Sequence, residues 1–246
     1  MSDLAPTTGE KLLTEPIGFV EIGGINPATL TKEEYQASSE LLFHGHKKPF
    51  KFRRDYKLGD DDSDGSQTLG EGFYTTDDRE AGLNYAHVRS QGASQNVTSF
   101  LPYNAQMLDL RSAEDPINSN GYFPNDLANK WLEFYTERPA NGQQSTEDRR
   151  IQVMNMRYLE YLKNTLEKRV QIDLRILLET APAPELNSRN YTAPPWITPF
   201  REFMLANGID GVIYNEGGEG QNKRPHASFI FYNYDKIGSF EDWNSE

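Results

Sequence analysis

Cysteine is missing from all 246 residues, which excludes disulfides, a thiolate nucleophile and cysteine-ligated zinc. Its absence fits a reducing compartment, and equally a protein that must unfold and refold in transit. Basic residues are the minority, 25 Lys and Arg against 37 Asp and Glu, for a formal net charge of −12. That balance opposes broad binding to nucleic acid or to anionic membrane, both of which draw on basic surface. Protein and small-molecule partners are the expectation. No apolar run reaches the roughly 18 residues that mark a membrane span, and no charged-then-apolar leader follows Met1. A soluble chain with neither a span nor a signal peptide is therefore expected.

What is present suffices for one core. Hydrophobic residues make up 36% and aromatic residues 12% of the chain, and no linker composition divides it, so residues 17–246 are read as one domain behind a loose terminus at 1–16. Ile17–Ile22 alternates weakly as a strand ended by Gly23-Gly24. Thr31-Lys32-Glu33-Glu34 is a capping box that starts a short helix. Asn96–Leu110 reads as strand, turn and strand, a hairpin. Leu127, Trp131 and Phe134 mark one amphipathic helix, and Ile151, Met154, Tyr158, Leu162 and Leu166 mark a longer one opening at Ser145-Thr146. Thr198-Pro199 supplies a cap and first helical position for a short helix stopped by Gly208. Strands then follow at Ile209–Tyr214 and Ser228–Tyr232.

The chemistry concentrates between Leu41 and Arg89. Leu41-Leu42-Phe43-His44-Gly45 reads as a buried strand that ends on a histidine and a bare glycine backbone. Gly70-Glu71-Gly72-Phe73-Tyr74-Thr75-Thr76 carries a second strand into a helix capped by Thr75 or Thr76, with acids in its first turn where the helix dipole favours them. Tyr85 lies on that helix, on the face shared by Ala81 and Val88, eleven positions after Tyr74. Two aromatic faces suit a flat, cationic heterocycle. A glycine backbone can approach a carboxamide closely, and a neutral histidine can bond a ribose hydroxyl.

This order of residues resembles the nicotinamide pocket of the ADP-ribosyltransferases, in the histidine-tyrosine-glutamate branch that covers diphtheria-toxin-like and poly(ADP-ribose) polymerase-like enzymes. The resemblance spans Leu41–Leu110 and Gly208–Ile237. It implies an α+β fold: a split, mostly antiparallel β-sandwich with flanking helices and a helical insertion near 120–170. It implies NAD as substrate, with His44 on the ribose, Gly45 on the carboxamide, Tyr74 and Tyr85 around the nicotinamide, and transfer of ADP-ribose to a macromolecular acceptor. Given the charge, that acceptor is protein. A toxin or effector acting inside another cell is the common setting of small members.

One position departs from the family pattern. Aligning Phe229-Ile230-Phe231-Tyr232 with the family's last strand puts Ser228 where the glutamate should stand. That acid stabilises the positive charge that develops as nicotinamide leaves, which a serine does only in part. Three replacements are open: Glu216 or Glu219 from the glycine-rich loop 215–225, or a carboxylate of the acceptor. The same departure supports another class of function, a catalytically inactive module that keeps the pocket for recognition.

Lys47, Lys48, Lys51, Arg53, Arg54 and Lys57 reverse the local charge after His44. They read either as a solvated strand edge or, for Arg53 and Arg54, as partners for a pyrophosphate. Asp60, Asp62, Asp64, Gly65 and Glu71 match calcium-loop spacing. Gln67 at an apolar position and the strand after Glu71 argue for a plain acidic loop instead. Finally, His44 and His46 alternate along one strand, so with His87 or His226 they would offer zinc ligands.

Overall fold

The computed structural model of the chain describes residues 18–46, 52, 71–89, 96–112, 114–115, 120–137, 146–168, 172–179, 196–216 and 225–244. Its strands are β1 (Phe19–Ile22), β2 (Leu42–His46), β3 (Phe73–Thr76), β4 (Asn96–Pro102), β5 (Ala105–Asp109), β6 (Gly211–Glu216), β7 (His226–Phe231) and β8 (Ile237–Gly238). They form one eight-stranded sheet in the order β1-β5-β6-β7-β3-β2-β4-β8. Every neighbouring pair is antiparallel except β5–β6, which is parallel. The α-helices are α1 (Lys32–Ala37), α2 (Arg79–Arg89), α3 (Asn125–Glu137), α4 (Thr146–Glu167), α5 (Leu174–Glu179), α6 (Ile197–Ala206) and α7 (Phe240–Trp243). The fold is therefore mixed α+β with a mostly antiparallel sheet, and helices occupy much of the expected insertion.

The predicted hairpin at 96–110 does not form. β4 and β5 are consecutive in the chain yet five strand spacings apart in the sheet, about 24 Å if the sheet were flat. Only Tyr103 and Asn104 join them, a link that reaches at most about 11 Å. The sheet must therefore fold over on itself. At the corner Asn104 adopts φ 45° and donates its N–H to the Gly23 carbonyl at 2.9 Å. Gly23, at φ 79°, lies so close to Pro102 that a Cβ would meet the proline carbonyl carbon at 2.4 Å.

Folding the sheet over gives it an inner and an outer face. The inner face holds Leu42, Phe73, Phe100, Met107, Ile213, Phe231 and Ile237, with Phe52 inserted among them. The outer face of β5, β6 and β7 carries Leu108, Val212 and Ile230 against α3, α4, α5 and α6. Trp131, Tyr158, Phe200 and Phe203 seal this layer and are all essentially solvent-free. Their polar atoms are satisfied: Trp131 Nε1 donates to the Tyr158 hydroxyl at 2.9 Å, and that hydroxyl donates to the Leu177 carbonyl at 3.1 Å. Burial pushes the Tyr158 phenol well above its ordinary range.

Local signals explain most element ends. The Thr31–Glu34 box is formed in both directions. Gly208, at φ 73°, ends α6 in the left-handed conformation that glycine takes without strain. Asp210 then staples three segments: its carboxylate accepts from Gln106 N at 2.9 Å and Asn233 Nδ2 at 2.7 Å, and its carbonyl accepts from Tyr232 N. Two expected caps are replaced. Thr75 and Thr76 remain in β3, and Asp78 caps α2, accepting from Glu80 N at 2.8 Å. Helix α6 opens one residue before Thr198, and the Thr198 hydroxyl donates to Glu71 at 2.5 Å instead.

Candidate functional site

Alternation along each strand decides which predicted residues can meet. On β3, Phe73 packs into the inner face, whereas Tyr74 packs against the outer core. Tyr74 lies in register with Ile230, and two residues further along Thr76 lies opposite Ser228. On β6 and β7 the outer face ends with Tyr214 opposite Ser228 and Glu216 opposite His226. Helix α2 covers the same side of β2. A Cβ added to Gly45 would sit 2.0 Å from the Gly82 carbonyl oxygen and 2.8 Å from Ala86 N. Glycine is thus required at 45 by the backbone of α2, on the strand where the sequence reading places a carboxamide contact.

From α2, Tyr85 reaches across to the ends of β6 and β7. Its hydroxyl donates to Glu216 Oε2 at 2.5 Å and lies 3.2 Å from His226 Nε2. Ser228 Oγ donates to the same Glu216 oxygen at 3.0 Å. His226 and Ser228 are buried, while Tyr85 and Glu216 are partly open. Glu216 is the last residue of β6, so its backbone is fixed by strand pairing rather than carried on a loop as expected. An acid therefore stands beside Ser228, supplied from the neighbouring strand.

His44 is not part of this group. Its ring lies on the inner face, 4.6 Å from the Phe73 ring and 6.5 Å from Phe100, and only 4% of the residue is exposed. Nδ1 is 2.6 Å from the Tyr74 carbonyl oxygen, which can only accept, so Nδ1 carries the proton. The bond ties β2 to β3 near Phe43↔Thr76, their register pair. The sequence expectation gives His44 a ribose contact; in the structure its Nδ1 makes this tie, because the residue before Gly45 must face away from α2. His46 shares the inner face, its ring stacked 6.0 Å from His44 and its Nε2 2.9 Å from Thr98 Oγ1.

Three supports escaped the sequence reading. His226 entered it only as a zinc ligand. Asp77 accepts from Ala227 N at 3.0 Å and so pins β7 between His226 and Ser228, but in sequence it reads as one more acid before a helix. Asn120 accepts from Asn215 N at 2.7 Å and donates to the Asn215 carbonyl at 3.0 Å, holding β6 beside Glu216. Nothing in the sequence marks a contact between residues so far apart. Nearby, Arg111 forks onto Asp109 at 2.9 and 2.6 Å, and those hydrogen bonds push the guanidinium further above its ordinary value.

Arg53, Arg54, Glu219 and Asp60–Gly65 lie outside the described residues. Glu71, the expected last calcium ligand, is engaged elsewhere, by Thr198 and by Arg201 at 3.8 Å. His226 stands on the opposite face from the His44–His46 pair, and among the described residues no group of three His, Asp or Glu is arranged to hold a metal ion. Nor, among them, is any helix long and apolar enough to cross a membrane. Comparison with family models, curated proteins and solved structures gives no match.

Proposed function

We propose that this chain transfers ADP-ribose from NAD to a protein acceptor, releasing nicotinamide, and that Glu216 supplies the acid its last strand lacks. The observation that carries the reading is the Glu216 carboxylate, 3.0 Å from Ser228 Oγ and bonded by Tyr85. Ser228 is the residue that aligns with the family's glutamate, and an acid beside it on the neighbouring strand supports the reading. Further support comes from Tyr74 and Tyr85 lying on one side of a mixed α+β fold with a mostly antiparallel sheet.

In the proposed reaction the bond between the ribose anomeric carbon and the nicotinamide nitrogen breaks. Its electron pair stays with nicotinamide, which leaves neutral, and the ribose becomes an oxocarbenium ion. A lone pair of the acceptor then forms the new bond at the anomeric carbon, and the acceptor's proton passes to solvent. Glu216 stabilises the cation and orients the ribose hydroxyl, a contribution worth most in a site where water is scarce. Tyr74 and the Tyr85 ring offer faces to the cationic nicotinamide. His44 acts at one remove, by holding the strand that carries Tyr74.

The test is incubation of the purified chain with labelled NAD and cell lysate, following labelled protein and free nicotinamide. Both products should form, and Glu216→Gln should slow nicotinamide release by roughly 10²- to 10³-fold, with Ser228→Ala far milder. A folded parent chain that binds NAD without cleaving it would establish the recognition-module alternative. One that does not bind NAD would overturn the reading.

A further inference from the structure

Glu216, Tyr85, Ser228 and His226 form a chain of hydrogen bonds whose direction follows from the atoms. Tyr85 and Ser228 both donate to Glu216 Oε2, a carboxylate oxygen that accepts from each. A phenol has a single hydrogen, and at Tyr85 it is spent on Glu216. The 3.2 Å contact with His226 Nε2 can then be a hydrogen bond only if Nε2 carries a proton and Tyr85 accepts it. His226 is buried and its strand is pinned by Asp77 through Ala227 N, so its donor is held still.

We infer that His226 is a positioning residue which fixes Tyr85 as a one-way donor to Glu216. In this way Tyr85 couples occupation of the pocket to alignment of the acid. The inference rests on the proposed function for the reaction, though not for the direction of the bonds. The Tyr85 ring is the part that meets nicotinamide, and its hydroxyl is the part that holds the carboxylate. One side chain thus serves binding with its face and catalysis with its edge. The two roles separate chemically, since removal of the hydroxyl leaves the ring.

Kinetics and side-chain nuclear magnetic resonance test this together. Tyr85→Phe should keep the KM for NAD within about twofold and lower kcat by about 10- to 100-fold, the effect of a lost bond to a charged group. His226→Leu should lower kcat by about tenfold. His226→Gln, whose Nε2 donor reproduces that of the imidazole, should recover most of this loss. The double variant Tyr85→Phe/His226→Leu should be no slower than Tyr85→Phe alone, because the proposed effect of His226 on Glu216 runs through that hydroxyl. Additive losses would overturn the proposal, as would a rise in KM with kcat unchanged.

The nitrogen spectrum decides the direction of the bonds independently of turnover. His226 should be protonated on Nε2 in the parent chain, and its resonance should move in Tyr85→Phe. An Nε2 found unprotonated and accepting would refute the inference even if NAD is cleaved. Failure to cleave NAD with Nε2 protonated would instead count against the proposed reaction and leave the hydrogen-bond chain standing.

Discussion

His44 and His226 are both buried strand histidines, but on opposite faces of one sheet they do different work. His44 sits among Phe73 and Phe100 and gives its proton to a backbone carbonyl, which makes it part of the framework. His226 faces a phenol and, beyond it, a carboxylate that is partly open to solvent. Residue type alone would have cast His44 as the functional histidine. Strand parity puts His44 on the inner face instead, because Gly45 is committed to α2 and its neighbours must point the other way.

The comparison predicts that loss of the carboxylate near His226 changes rate, whereas loss of framework contacts, on either face, changes stability. The largest effect belongs to Glu216→Gln, which should raise the barrier to NAD cleavage by about 3–4 kcal/mol while leaving the midpoint of thermal unfolding within a degree or two. Equal loss of stability would mean that Glu216 is framework too. Next is Gly45→Ala, whose methyl has no room against the Gly82 carbonyl. It should cost about 3 kcal/mol in urea denaturation, or shift α2 enough to displace Tyr85 and slow turnover as well.

His44→Ala is expected to cost about 2–3 kcal/mol of stability, from an inner-face cavity and a carbonyl left without its donor. NAD affinity of the folded fraction, measured by calorimetry, should stay close to that of the parent. A tenfold loss of affinity at unchanged stability would restore His44 to the pocket. The smallest effect is that of Tyr74→Ala. Losing one aromatic face should weaken NAD binding by about 1 kcal/mol, with kcat nearly unchanged.

Much of the fold was legible because its signals are local. The Thr31 box, the Gly208 stop and the 3.6-residue stripes of α3 and α4 each depend on neighbours a turn or so away, and each formed. The hairpin at Asn96–Leu110 was misread because a two-residue turn looks the same whether it pairs two strands or turns a sheet corner. The difference lies in Gly23 and Pro102, far from the turn in sequence. The strand positions of Tyr74 and Ser228 and the helix position of Tyr85 could be read from order and spacing. Glu216 was named, but its support was not, since Asn120, Asp77 and His226 act through contacts that no sequence period encodes.

The position of β7 bears on when the site comes into being. It lies between β6 and β3, and its partner residues in β3, such as Tyr74 opposite Ile230, were made more than 150 residues earlier. Closing so long a loop is a slow event in folding, because the entropy is lost before the contacts are gained. During synthesis α2 and Tyr85 leave the ribosome well before Glu216, and Glu216 before Ser228. Docking of β7 therefore joins the two halves of the sheet and assembles the acid's hydrogen bonds in one event, so a growing chain carries no finished site until its last long strand has docked.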